Sequence, residues 1–201
     1  KGCAEMFDYF CRYEVTDKKL DLVLIGNPVM DVPSHPRIKH LGFVNDETKF
    51  DALAAADVLI MPSYFESLSM VTLEAWALGL PVIVNGACDV LRGQVVRSNA
   101  GLYYTNQAEF TESLNLLESQ PSLRSALGAN GQKYFRQHYT WPVVEKKYLT
   151  MLDQLKREEI DGINHVLEPL PSWFDRRTRK IPPAVELLGD VPSGPVLVDE
   201  S

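Results

Sequence analysis

Residues 58–84 read VLIMPSYFESLSMVTLEAWALGLPVIV. Val58-Leu59-Ile60-Met61 is closed by Pro62. A loop from Ser63 to Ser69 follows, then a helical stretch from about Met70 to Leu78 that Gly79 stops, and then Pro81-Val82-Ile83-Val84. A strand that is apolar throughout is covered on both faces. Strand, helix and second strand in that order make a βαβ unit, whose strands run parallel.

The same alternation extends outward. Upstream, Cys3, Met6, Phe7, Phe10 and Cys11 recur at spacings of three and four, the stripe of a helix with one buried face. Leu22 to Ile25 reads as a strand closed by Gly26-Asn27-Pro28, and Ile38 to Val44 as another. Asn45 or Asp46 caps a helix that carries Phe50, Leu53 and Ala54 on one face. Downstream come a helix around Val90–Val96, a short strand at Gly101–Tyr104 and three helices. Phe110, Leu114 and Leu117 mark the first; Leu123, Leu127, Tyr134 and Phe135 the second. The third starts at Trp141, with Val144, Tyr148, Met151, Leu152 and Leu155 expected to face inward. The fold expected is α/β: a Rossmann-like, mostly parallel sheet with helices on both faces. Ligands of such sheets sit beyond the carboxyl ends of the strands, which singles out the loops after Ile25, Phe43, Met61 and Val84.

The chain has 201 residues, 45% of them hydrophobic, enough for a sizeable core without disulfides or metals. Its 20 basic and 27 acidic residues leave a net charge of -7, which argues against a nucleic-acid or membrane-surface binder, since phosphate backbones attract excess Lys and Arg. A local basic patch could still bind a small anion. Cys3, Cys11 and Cys88 have no C-x-x-C spacing, so neither a disulfide framework nor a zinc site is indicated, and no metal is expected. No signal peptide, sequon or apolar run near the ~20 residues of a membrane span occurs. A cytoplasmic location is expected, with peripheral attachment to a membrane as the other option. The start at Lys1-Gly2, without Met, suggests a fragment. Six of the 13 prolines lie beyond residue 167, beside the basic cluster Arg176, Arg177, Arg179 and Lys180. The expected division is a Rossmann-like domain over 1–158 and a Pro-rich extension over 159–201.

Two glutamates at the spacing of Glu66 and Glu74 mean little by themselves. Their surroundings mean more. Ser67, Leu68 and Ser69 lead into a helix whose first amides lack intrahelical partners and whose dipole is positive there, a ready site for a phosphate or diphosphate. Two carboxylates would repel the phosphates, so they belong beside them, accepting hydrogen bonds from hydroxyl groups. A nucleoside diphosphate sugar, with polyols at both ends of a diphosphate, fits that pattern. His35 and His40 read as surface residues, and Cys88 and Trp76 as packing residues.

At this point the sequence resembles the C-terminal, donor-binding domain of the retaining glycosyltransferases of family 4, which have the GT-B fold. Glu66, Glu74, Ala75, Ala77, Gly79, Pro81 and Val82 fall in the expected places. Lys1-Gly2, Leu24-Ile25-Gly26, Leu41-Gly42-Phe43-Val44 and Ala54-Ala55-Ala56-Asp57-Val58 match four further segments in order. The resemblance covers residues 1 to about 155 and implies that the domain's first strand is absent from this chain. It implies that Glu66 and Lys1 serve catalysis, with Glu66 on donor-sugar hydroxyls and Lys1 on the leaving diphosphate. Glu74 would hold the ribose. Ser67 and the backbone amides of Leu68, Ser69 and Met70 would face diphosphate and sugar, while Gly26, Phe43 and Val44 would form the turns around the base. It further implies no cofactor besides the nucleotide-sugar donor, and a saccharide or lipid-linked acceptor brought by an N-terminal domain absent here. The fragment alone is then expected to be inactive. Ser69 stands where the family commonly has Gly, and Gly86-Ala87-Cys88-Asp89 replaces a paired-glycine-plus-glutamate signature; both leave the donor unassigned. Alternatives are a nucleotide-sugar epimerase or hydrolase of the same fold, for which Asp89 is the only evident extra acid or base, or a non-catalytic module that binds through the Pro-rich tail. A glycosidase-like carboxylate pair ranks below these, because a raised-pKa acid is hard to place at an anion site.

Overall fold

The computed structural model describes residues 2–13 and 20–160. Lys1 lies outside them, as does the expected extension from residue 161 onward. Residues 1–150 form one compact unit, and a second begins at Met151, inside the last helix.

The chain alternates as its periodicities dictate. Helix α1 (Cys3–Arg12) buries Met6, Phe7 and Phe10. Strands β1 (Leu22–Leu24) and β2 (Ile38–His40) follow, then α2 (Asp46–Ala55), β3 (Leu59–Met61), α3 (Met70–Ala77), β4 (Val82–Asn85), α4 (Asp89–Ser98) and β5 (Gly101–Tyr104). The helices α5 (Gln107–Ser119), α6 (Pro121–His138) and α7 (Trp141–Ile160) complete the order.

All strand pairing among the described residues is parallel. β1 runs beside β2 with Leu22 opposite Ile38, and β4 lies between β3 and β5 with Val82 opposite both Leu59 and Gly101. Central β4 is buried along its whole length. Its alternating side chains feed two cores. Val82 and Val84 join Leu73, Ala75 and Trp76 of α3 with Leu91 and Val95 of α4. Ile83 joins Met6, Phe7 and Phe10 of α1, Leu22 of β1 and Phe110, Leu114 and Leu117 of α5. Helices thus cover both faces, and each fully buried aliphatic or aromatic side chain contributes roughly 1.5–3 kcal/mol. α6 comes very close to α3: a Cβ on Gly131 would lie 2.4 Å from Trp76 Cδ1. The Trp76 indole is fully buried and donates to the Ala100 carbonyl at 3.1 Å, which makes it the packing residue expected.

Three expectations need correction. The second strand ends at His40 rather than Val44, because the chain turns at Gly42 (φ 73°), whose carbonyl accepts from Gly26 N–H at 2.8 Å. On α2 only Leu53 is buried; Phe50 and Ala54 are exposed, and Phe50 instead lies under the Lys49 ammonium at 4.5 Å. On α7, Val144, Tyr148, Met151, Leu152 and Leu155 are exposed rather than buried.

Candidate functional site

The loops after β3 and β4 meet at the carboxyl ends of their strands. Asn85 ties them, its Nδ2 donating to the Pro62 carbonyl at 3.1 Å while its Oδ1 accepts from Ala87 N–H at 2.9 Å. Gly2 lies against the same carbonyl with φ 72°, and a Cβ there would fall 2.1 Å from the oxygen. Only glycine lets the start of α1 lie on this loop.

The loop then presents the predicted residues. Glu66 is half-buried, Ser67 exposed, and Ser69 buried in a left-handed conformation, φ 62° and ψ 84°. For a residue with a Cβ that conformation costs on the order of 1 kcal/mol. The Ser69 Oγ stands 2.9 Å from Thr72 Oγ1 in the first turn of α3. Gln94, buried on α4, donates its Nε2 to the Leu68 carbonyl at 2.9 Å and so fixes the peptide that precedes Ser69. Leu68, Ser69 and Met70 therefore stand at the amino terminus of α3, whose first amides have no acceptor within the helix, while Thr72 N–H donates to the Ser69 carbonyl at 3.2 Å. A cavity of about 540 Å³ opens at the loop that precedes them. Tyr64, Phe65, Glu66 and Ser67 line one side, and Ala87, Cys88, Asp89 and Val90 line the other. The start of α4, at Cys88, contributes to this region, while the start of α3 follows directly on its loop at Ser69.

Glu74 lies one turn into α3. Its Oε1 accepts from Lys49 Nζ of α2 at 3.1 Å, and the same ammonium is 3.1 Å from Asp46 Oδ1. The hydrogen bond to Glu74, and next that to Asp46, hold Lys49 above the ordinary lysine range. α2 starts directly after the predicted base turn, capped by Asn45, whose Oδ1 accepts from Thr48 N–H at 2.8 Å. That turn is built with Gly26: besides the Gly26–Gly42 bond, His40 Nε2 is 2.8 Å from the Gly26 carbonyl. Phe43 is 78% exposed and Val44 half-buried. Gly26, Phe43 and Val44 do not line the cavity; they belong to the β1–β2 end, which the Lys49–Glu74 pair joins to α3.

Sequence reasoning did not single out Lys49, Gln94, Asn85, Tyr64 or Phe65. Tyr64 and Phe65 adjoin Glu66 in the quoted loop and were legible there. Lys49 and Gln94 lie 25 and 26 residues from their partners, with no motif to connect them. Cys88 is buried as expected of a packing residue, and it also lines the cavity. His35 accepts from Arg37 N–H at 3.2 Å and sets its ring edge-on to Phe10. Among the described residues no group of three or more His, Cys, Asp or Glu is placed to hold a metal ion, and no helix is long and apolar enough to cross a membrane.

Known proteins share this architecture. Sucrose-phosphate synthase from Thermosynechococcus elongatus superposes with a TM-score of 0.64 at 21% identity, over 78% of this chain and 43% of that one. HepE of Anabaena, solved in complex with UDP, superposes with a TM-score of 0.64 at 18% identity, over 77% of this chain and 45% of that one. The fold is that of one half of a GT-B glycosyltransferase. In sequence, an uncharacterized glycosyltransferase of Methanocaldococcus jannaschii is 28% identical over 55% of this chain and 29% of its own length. A D-inositol 3-phosphate glycosyltransferase of Streptomyces bingchenggensis is 36% identical over 45% of this chain and 20% of its own. The chain thus spans well under half the length of these curated relatives. The family described as glycosyl transferases group 1 matches residues 31–134, more than half of the chain, which contains Glu66, Glu74 and both helix starts. The chain belongs to that glycosyl transferase family.

Proposed function

We propose that this chain is the donor-binding half of a retaining glycosyltransferase of family 4, acting on a nucleoside diphosphate sugar. The observation that carries this reading is the Ser67–Met70 segment. It enters α3 through a left-handed Ser69, is pinned by Gln94, and has Glu66 on the cavity side and Glu74 on the helix side. The diphosphate sits on the leading amides of α3, where backbone N–H groups and the helix dipole meet its charge at no cost of reorganisation. The sugar occupies the cavity, with Glu66 accepting from its hydroxyls. Glu74 accepts from the ribose, and the turn at Phe43 and Val44 borders the base.

In the reaction the bond from the anomeric carbon to the diphosphate oxygen breaks, and the growing negative charge falls on the amides of α3 and on Lys1. The acceptor hydroxyl attacks from the same face, its proton passes to the leaving phosphate oxygen, and configuration is retained. The acceptor, a saccharide or a lipid-linked sugar, is held by a further domain, so this chain alone binds donor without turnover. An epimerase would need an acid or base at the sugar. Asp89 lines the cavity, but its carboxylate is held by Arg92 at 2.8 Å.

The test is calorimetry of the 201-residue chain against UDP, GDP and their sugars. One nucleotide series should bind, and Glu74→Ala should weaken it about tenfold or more, since a hydrogen bond to a charged group contributes roughly 1.5–3 kcal/mol. No heat from any nucleotide at millimolar concentration would overturn the reading.

A further inference from the structure

We infer that Lys49 is a positioning residue for the ribose: it fixes the Glu74 carboxylate so that the site distinguishes a ribose from a deoxyribose. The inference rests on the donor reading above and extends it to a residue outside the expected motif. Three contacts carry it. Lys49 Nζ donates to Glu74 Oε1 at 3.1 Å, is held from the other side by Asp46 Oδ1 at 3.1 Å, and lies over the Phe50 ring at 4.5 Å. The lysine is thus itself immobilised, with its side chain 28% exposed and that of Glu74 23%.

A glutamate on a helix surface has three rotatable bonds, and ordering it costs up to about 2 kcal/mol. Lys49 removes that cost before any ligand arrives. By occupying Oε1 it leaves Oε2, with its lone pairs, as the open acceptor for vicinal hydroxyls. Asp46 and Phe50 lie on either side of Lys49 in sequence, so the ammonium reaches α3 from a helix that starts at the turn assigned to the base. One ion pair therefore couples the base end of the site to the ribose end.

The experiment titrates the full chain with the nucleoside diphosphate that binds best and with its 2′-deoxy counterpart, for the wild type, Lys49→Met, Lys49→Gln and Lys49→Arg. Thermal melts alongside show which variants fold. The expected result is an affinity for the ribonucleotide about tenfold weaker in Lys49→Met and Lys49→Gln, little change for the deoxynucleotide, and recovery of most of the preference in Lys49→Arg. A lysine that only joined α2 to α3 would change stability and leave the ribose-to-deoxyribose ratio alone. Lys49→Met or Lys49→Gln that folds and keeps the wild-type ratio overturns the inference while leaving the donor reading standing. A wild type that binds no nucleotide overturns both.

Discussion

Ser69 is the residue at which local strain and the site coincide. Its φ of 62° and 6% exposure leave little room for a larger or branched side chain. Ser69→Gly relieves the strain and loses only the contact with Thr72, so its melting temperature should equal or exceed that of the wild type. Ser69→Val places a β-branched side chain in the left-handed region and in a buried position. It should lower the melting temperature by about 5 °C, the equivalent of roughly 2 kcal/mol in a chain of this size, and weaken nucleotide binding with it. Equal melts for the two variants would show that the strain is not felt. The sequence pointed to Ser69 as part of the segment that leads into a helix, small enough to let a ligand approach the backbone. The serine itself gave no hint of the backbone's hand, since it is not a marker of positive φ; the one hint was that the family this sequence resembles commonly has Gly at this place. The Glu74–Lys49 pair was equally hidden, because pairing between helices is decided by how they cross and not by spacing along the chain.

Among the elements, helices with local signals were the most legible. Asn45 caps α2 and Asn106 caps α5, each accepting from an amide three residues on, at 2.8 and 3.0 Å. Such caps depend on neighbours in sequence and can be read there. The α7 stripe shows the opposite limit: a period of 3.6 residues reveals that a helix has an apolar face and not what that face meets. Packing between α6 and α3 was also out of reach, although Gly128 and Gly131 stand three apart on one face. A Cβ on Gly131 would meet Trp76 Cδ1 at 2.4 Å and the Ala100 Cβ at 3.2 Å. Because Trp76 is fully buried and hydrogen-bonded it cannot yield. Gly131→Ala should therefore destabilise the chain by about 1–3 kcal/mol despite its better helix propensity, measured as a lowered midpoint in urea. A midpoint at or above that of the wild type would mean that α6 can withdraw from α3 freely.

At the scale of the whole molecule, α1 and α5 are locked by a buried phenol. Tyr13 donates to Asn115 Oδ1 at 2.7 Å and lies 3.2 Å from Glu118 Oε2. Burial first, and then the Glu118 carboxylate, push its pKa from 10.0 up to about 12. Burial moves the Tyr104 hydroxyl upward too. A folded-state pKa raised above the unfolded value favours the neutral phenol in the fold. That stabilisation is complete below pH 10 and is lost as pH rises through about 12. Denaturant midpoints should hold to about pH 10 and then fall, less steeply in Tyr13→Phe; a midpoint flat to pH 12 would contradict the assignment.

The parallel sheets carry a further consequence, which concerns time. Leu22 pairs with Ile38, Leu59 with Val82, and Val82 with Gly101, so among the described residues every ladder joins strands separated by a crossover and none can begin as a hairpin. Each must close a loop before its first hydrogen bond rewards the lost entropy, which makes folding slow and leaves apolar strands uncovered meanwhile. Centred on Val82-Ile83-Val84, this polypeptide is therefore most vulnerable to aggregation during its own synthesis and refolding, before the strand that orders both cores has found its neighbours.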